Sequence, residues 1–313
     1  MAVRAALVTD HASRILLEGL VDYAGLYPPA SVSMAAAVRN YAHYRASGSG
    51  WMLGRFVCPA NALEEFSRHA DPLLPRDAGA IPWRLSAVAS ADVDADLLAI
   101  GAFNARHRVC FEECGALVDA YEVRVSGAED ITRVHDMVPT SLTTYLELPL
   151  DRAVALLPQV AATGRRAKMR TGGVTSDAFP QMAAIIAFLQ QCVALGVAAK
   201  ATAGLHHPLG GQYRLSYAAD APVDTMYGYL NVFLSAALLA AGGAPADAER
   251  LLVETNPAQL TIDDVAVTWR AEMQRAVSLD REHLQRTRQH VLVSFGSCSF
   301  TEPVDEVRAL GWI

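Results

Sequence analysis

The chain has 313 residues, 52% of them hydrophobic and 19% charged, with 33 acidic against 26 basic residues for a formal net charge of -7. That composition excludes a disordered or low-complexity chain, because apolar residues are too many and 21 Gly and 15 Pro too few. The acidic balance argues against a nucleic-acid partner, which would need a clustered basic face to neutralise phosphates.

In chain order, residues 1–10 carry an apolar patch that Asp10 and His11 interrupt too soon for a secretory signal, so no export is expected. Short β-rich runs then alternate with alanine-rich amphipathic stretches. Strands are predicted at 16–22, 54–59, 83–89, 120–126, 143–149, 166–170, 197–203 and 291–296. Helices are predicted between them at 34–45, 62–69, 95–105, 131–137, 151–162, 181–195 and 229–241. An insertion near 246–288, helical over 269–287, precedes the last strand. Eight βα units predict an α/β fold, a single (β/α)8 TIM barrel over residues 1–313. The alternative, an open doubly wound sheet, should show a phosphate fingerprint, and neither G-x-G-x-x-G nor Walker A is present.

The most apolar window, 179–200, contains Pro180, Gln190 and Gln191 and reads as a buried helix followed by a strand, so no membrane partner is expected. Cys58, Cys110, Cys114, Cys192 and Cys298 do not form a ligand set, since the C-x3-C pair has no second Cys or His pair beside it. A reduced, cytoplasmic setting with no bound metal or cofactor is the expectation, and homo-oligomerisation stays open.

A strand covered on both faces should be nearly all apolar, yet several of these carry charge. Arg55 lies in the second strand, Glu122 and Arg124 in the fourth, Glu147 in the fifth, Lys168 and Arg170 in the sixth, and Lys200 in the seventh. Facing inward together, five cations against two carboxylates would make a cationic pocket for a small anionic substrate, since unpaired buried charge is costly. The segment Lys168-Met-Arg-Thr-Gly-Gly173 ends a strand in glycines, as does Lys200-Ala-Thr-Ala-Gly204 before His206-His207-Pro208. Such turns bring backbone N–H groups close to an anion. Arg55, Arg170, Thr171, Gly172, Gly173, Thr202, Gly204 and His207 are therefore candidate substrate-binding residues, with Gly296 and Ser297 at the end of the eighth strand. Paired lysines also have a chemical use: a neighbouring cation depresses an amine's pKa and frees it to attack a carbonyl.

These two lysine segments resemble the sixth- and seventh-strand motifs of deoxyribose-phosphate aldolases and related class I aldolases, which are (β/α)8 barrels. The resemblance implies that Lys168 forms the imine and Lys200 perturbs it. Arg170 and the His206-His207-Pro208 ending depart from the family's pattern. Over more of its length the chain is similar to bacterial proteins that carry the same segments without an assigned activity.

The function expected is therefore an aldolase- or lyase-like reaction on a small anionic carbonyl compound, phosphorylated ones included, with Glu147 or His206 moving protons. One alternative is a metal- or acid/base-dependent isomerase or hydrolase using His206 or His207, with Glu147 or Asp22 as a third ligand. Another is a noncatalytic metabolite-binding barrel. Glu122 is expected to pair with an arginine, Cys298 to be a packed thiol, and Asn231 to make a packing hydrogen bond. Asp22 and Tyr23 are placed at the mouth, and Tyr27, before Pro28, over the barrel.

Overall fold

A computed structural model describes residues 11–77, 79–108, 115–270 and 276–313. The first half runs α1 (Ala12–Leu17), β1 (Val21–Tyr23), α2 (Met34–Ala46), β2 (Leu53–Pro59), α3 (Leu63–Ala70), β3 (Trp83–Val88), α4 (Val93–His107), β4 (Ala116–Arg124), α5 (Ala128–Met137) and β5 (Thr143–Glu147). It continues through α6 (Ala153–Thr163), β6 (Arg166–Arg170), α7 (Met182–Leu195), β7 (Ala199–Thr202), β8 (Gly211–Arg214), β9 (Val223–Met226) and α8 (Tyr229–Ala240). The last part holds α9 (Pro245–Leu252), β10 (Leu260–Ile262), β11 (Ala266–Trp269), β12 (Val277–Asp280), α10 (Arg281–His290), β13 (Leu292–Ser297) and α11 (Thr301–Ala309).

Eight parallel strands close into a barrel in the order β1-β13-β7-β6-β5-β4-β3-β2, the predicted (β/α)8 architecture. Three helices start where a side chain satisfies a free N–H group: Ser33 accepts from Ala36, Asp92 from Ala95 and Asp280 from His283. Their apolar faces pack on the strands, as where Tyr229 and Phe233 of α8 meet Phe295 of β13. The helix α7 and the turn before it form the one described stretch, Ser176–Leu195, long and apolar enough to cross a bilayer. In the fold α7 is the crossover between β6 and β7, and its Ile185, Ile186, Phe188, Leu189 and Cys192 are buried.

Two predicted elements differ. The expected strand 16–22 is a strand only from Val21, and Ala12–Leu17 is the helix α1, buried through Ala12, Leu16 and Leu17. The run Ile15-Leu16-Leu17 satisfies either period, and Gly19, at φ +57, separates helix from strand. The helix expected over 269–287 begins only at Arg281. Ahead of it, Val267, Trp269 and Leu279 alternate into the buried side of an antiparallel sheet, β10-β11-β12. Cys110, Cys114 and residues 271–275 lie outside the described residues.

A hairpin, β8–β9, not anticipated from the sequence, stands between β7 and α8. Asn231, fully buried in α8, ties its start to α9: Oδ1 accepts from Gly210 N at 2.8 Å, and Nδ2 donates to Leu251 O at 2.7 Å and Glu254 O at 2.9 Å. This is the packing hydrogen bond expected. Asn231→Leu keeps the branched shape but removes three hydrogen bonds and leaves the buried Gly210 N–H without its acceptor, so urea denaturation is expected to show a loss of about 2–4 kcal/mol.

Candidate active site

Strand register decides which charges meet. Lys168 is the register neighbour of both Glu147 and Lys200, and Lys200 of Ser294, so these side chains form a row inside the barrel. Glu122, opposite Val88 on β3, reaches into the row from β4, and Asp22 from β1. The result is an alternating chain. Lys200 Nζ is 2.7 Å from Asp22 Oδ2 and 2.7 Å from Glu122 Oε1. Lys168 Nζ is 2.8 Å from Glu122 Oε2 and 2.7 Å from Glu147 Oε2. Arg124 closes the chain on Glu147 at 3.0 Å, with Arg170 at 3.9 Å.

Neutral donors complete it. Ser86 Oγ donates to Glu122 at 2.6 Å, while Asp22 accepts from Ser294 Oγ at 2.9 Å and Arg55 N at 2.7 Å. Buried ions cost several kcal/mol each unless paired and hydrogen-bonded on every side, and here they are. Burial pushes Glu122 up, but Lys168 and Lys200 outweigh it and hold its carboxyl well below the usual range. Burial also raises Glu147, and Lys168, helped by Arg170 and Arg124, overcomes it and lowers the group. For Lys200, burial favours the neutral amine, yet Asp22 and Glu122 prevail and raise it above the ordinary lysine value.

The chain forms the floor of a cavity of about 540 Å³ at the C-terminal ends of the strands, where (β/α)8 barrels carry their sites. Lys168, Lys200, Glu122, Glu147, Arg124, Arg170, Gly173, Thr202, Gly204, His206, Gly296 and Cys298 line it. The two lysines differ in access: the Lys168 side chain is 8% exposed and that of Lys200 1%. Arg124 and Arg170 stand at the rim, 75% and 47% exposed. After β7 the backbone turns through left-handed Ala203 (φ 64) and Gly204 (φ 70), and a Cβ on Gly204 would meet Gly172 Cα at 2.9 Å.

Several expectations are corrected. The cationic excess is absent from the floor, where Lys168 and Lys200 face three carboxylates; Arg124 and Arg170 add positive charge at the rim. Lys200 and Lys168 share the Glu122 carboxylate, whose partners are lysines and not an arginine. Arg55 points into the barrel nearer its N-terminal end, where it pairs with Asp119 at 2.7 Å alongside Arg84, and it does not line the cavity. Thr171 is fully buried with its Oγ1 donating to Ala203 O at 2.7 Å, so it braces the turn. Gly172 is a packing glycine, since a Cβ there would strike the Phe179 ring. Ser297 caps the turn after β13 through Ser299 N at 3.3 Å. Tyr23 packs against Tyr41, Tyr44 and Phe56 and not at the mouth.

The histidine pair is split, as adjacent residues in an extended segment require. His206 lines the cavity, with Nδ1 3.1 Å from Glu302 Oε2 and 4.0 Å from Cys298 Sγ. His207 turns to a neighbouring cavity of about 440 Å³, stacked on Tyr213 with Nδ1 2.7 Å from Glu306. Among the described residues no three of His, Cys, Asp and Glu gather around a common point suited to a metal ion. Asp22 and Glu147, the suggested third ligands, are engaged by lysines.

Burial favours the neutral form of His206, but Cys298 and Glu302 outweigh it and push the group up to about 9. Because the folded value exceeds the unfolded one, near 6.5, the stability it contributes is complete below that pH and is lost as pH rises through about 9. Urea titrations across this window should show a decline of about 2 kcal/mol that His206→Gln removes.

Sequence reasoning missed one signal. Lys168 and Lys200 are the only lysines in the chain, and every other member of its Lys and Arg set is arginine. Arginine serves wherever only charge is needed, whereas these two positions keep an amine. No family model matches the chain, and no curated protein or solved structure matches it either.

Proposed function

We propose that the protein is a lyase of the class I aldolase type, acting on a small anionic carbonyl compound through an imine on Lys168. The observation that carries this reading is the position of the chain's more accessible lysine amine, at the cavity floor between two carboxylates. In the reaction envisaged, Lys168 passes a proton to Glu147 and its nitrogen attacks the carbonyl carbon. The carbonyl oxygen takes protons from Glu147 and from the attacking nitrogen and leaves as water, so an ammonium and a carbonyl become a protonated imine and water. Loss of the Lys168 proton removes the main force lowering Glu147, which makes that carboxylate a better acceptor at the moment it is needed.

The imine then draws the electron pair of a carbon–carbon bond as a hydroxyl proton two carbons away passes to Glu147. The enamine is protonated and water releases the second product. Lys200 stays charged throughout and fixes Glu122 as a carboxylate beside the reacting nitrogen. Arg124 and Arg170 at the rim, with the backbone near Gly173 and Gly204, suit an anionic group on the substrate. Borohydride trapping of an adduct on Lys168 tests the proposal. A second reading, acid/base chemistry without an imine, is favoured by His206 in the cavity wall beside Glu302; loss of turnover in His206→Gln with no adduct on Lys168 in the parent protein would select it.

A further inference from the structure

The cavity is chemically lopsided. Its β4–β7 side carries the charged residues Glu122, Glu147, Lys168 and Lys200, while Val57, Val88 and Ala89 on the β2–β3 side are apolar. One polar group breaks that apolar side. Tyr27, in the loop between β1 and α2, lines the cavity, and its hydroxyl is buried with no hydrogen-bond partner among the described residues.

A buried hydroxyl without a partner is destabilising, and fold geometry does not explain this one. The loop is fixed by its own backbone: Tyr27 N donates to Ala24 O at 2.9 Å, Ser31 N to Tyr27 O at 3.0 Å, and Ala24 N to Ser297 O at 2.7 Å. The phenol is therefore held in place by contacts that do not use its oxygen. Burial, helped by the negative charge of Glu122, raises the group far above the usual tyrosine value, so it stays a donor and does not act as a base. Nearby Cys58 offers it nothing, because that thiol is directed at Pro59 O at 3.4 Å.

We infer that the Tyr27 hydroxyl is a substrate-contacting donor that selects carbonyl compounds bearing an oxygen on the carbon next to the carbonyl. This rests on the imine reading of Lys168. Tyr27 lines the same cavity as Glu122 and Lys168, and Glu122 holds the Lys168 nitrogen at 2.8 Å. An oxygen that meets the phenol is therefore carried by the molecule that reacts at Lys168 in the same cavity. The carbonyl oxygen itself leaves as water, so the oxygen that persists is another one, and in the shortest hydroxyaldehydes that is the oxygen on the adjacent carbon. A donor built to bind such an oxygen disfavours the analogue that lacks it, which leaves the phenol unpaired.

The test compares glycolaldehyde with acetaldehyde as probes, reducing each with borohydride in the presence of the parent protein and Tyr27→Phe and quantifying the adduct on Lys168. Trapping of glycolaldehyde is expected to exceed that of acetaldehyde by about tenfold in the parent protein beyond their ratio on free lysine, and Tyr27→Phe is expected to erase the excess. An excess that survives in Tyr27→Phe, or none in the parent, overturns the assignment of Tyr27 while leaving the imine intact. No adduct on Lys168 with either aldehyde overturns the imine reading and this inference with it. Thermal unfolding supplies a second readout: the variant should melt within about 2 °C of the parent, and a fall beyond about 5 °C would show a structural partner and overturn the inference.

Discussion

Borohydride reduction of the protein mixed with a short hydroxyaldehyde or sugar phosphate should leave a secondary amine on Lys168, found by peptide mass mapping. The expected effect is large because the chain offers only two lysine side chains, and Lys200 is nearly inaccessible between Asp22 and Glu122. Lys168→Met should lower trapping and turnover by at least about a thousandfold, the scale of losing a covalent catalyst. Lys200→Met should still form the Lys168 adduct, more slowly, since it leaves Glu122 with a single ammonium partner. Label confined to the N-terminal amine, or equal labelling of Lys168→Met and the parent, would sink the proposal.

The barrel was legible because eight strand-length runs alternate with helical ones, and a parallel sheet needs just that order. Its first strand was not, because Ile15-Leu16-Leu17 fits both periods and only the left-handed Gly19 divides them. The hairpin β8–β9 has two exposed four-residue strands, too short and too polar to leave a pattern. Lys168, Lys200 and Glu147 stood out as charges in otherwise apolar strands. What could not be read was depth and register. Arg55 pairs with Asp119 away from the cavity, and Glu122 meets lysines two and three strands along and not an arginine. Those outcomes depend on how strands are staggered around a closed barrel, which no single strand encodes.

Glu122 is the joint of this network, so its removal is expected to have the largest effect on stability. In Glu122→Gln the shape is kept, but both ammonium groups lose a carboxylate and meet either a weaker oxygen or an amide N–H that repels them. Breaking one partner from a buried ion pair typically costs about 3–5 kcal/mol, and here two pairs share the carboxylate. Thermal unfolding should fall by about 10 °C on the scale set by a domain of this size. Deleting the stranded charge as well separates electrostatics from packing. In Glu122→Gln/Lys200→Met, Lys168 keeps Glu147, the uncompensated second ammonium is gone, and Asp22 retains Ser294 Oγ and Arg55 N. The double variant should therefore be less destabilised than the sum of the two single changes, with a coupling of about 1–3 kcal/mol. Acid sensitivity should follow the same carboxylate. Its folded value lies below the ordinary one, so its contribution is whole above about pH 4.5 and drains away as pH falls further. The parent should lose stability steeply below that pH, and Glu122→Gln should lose less from its already lower level. A single variant as stable as the parent, or strictly additive changes in the double, would mean that the alternating chain does not hold its charges together.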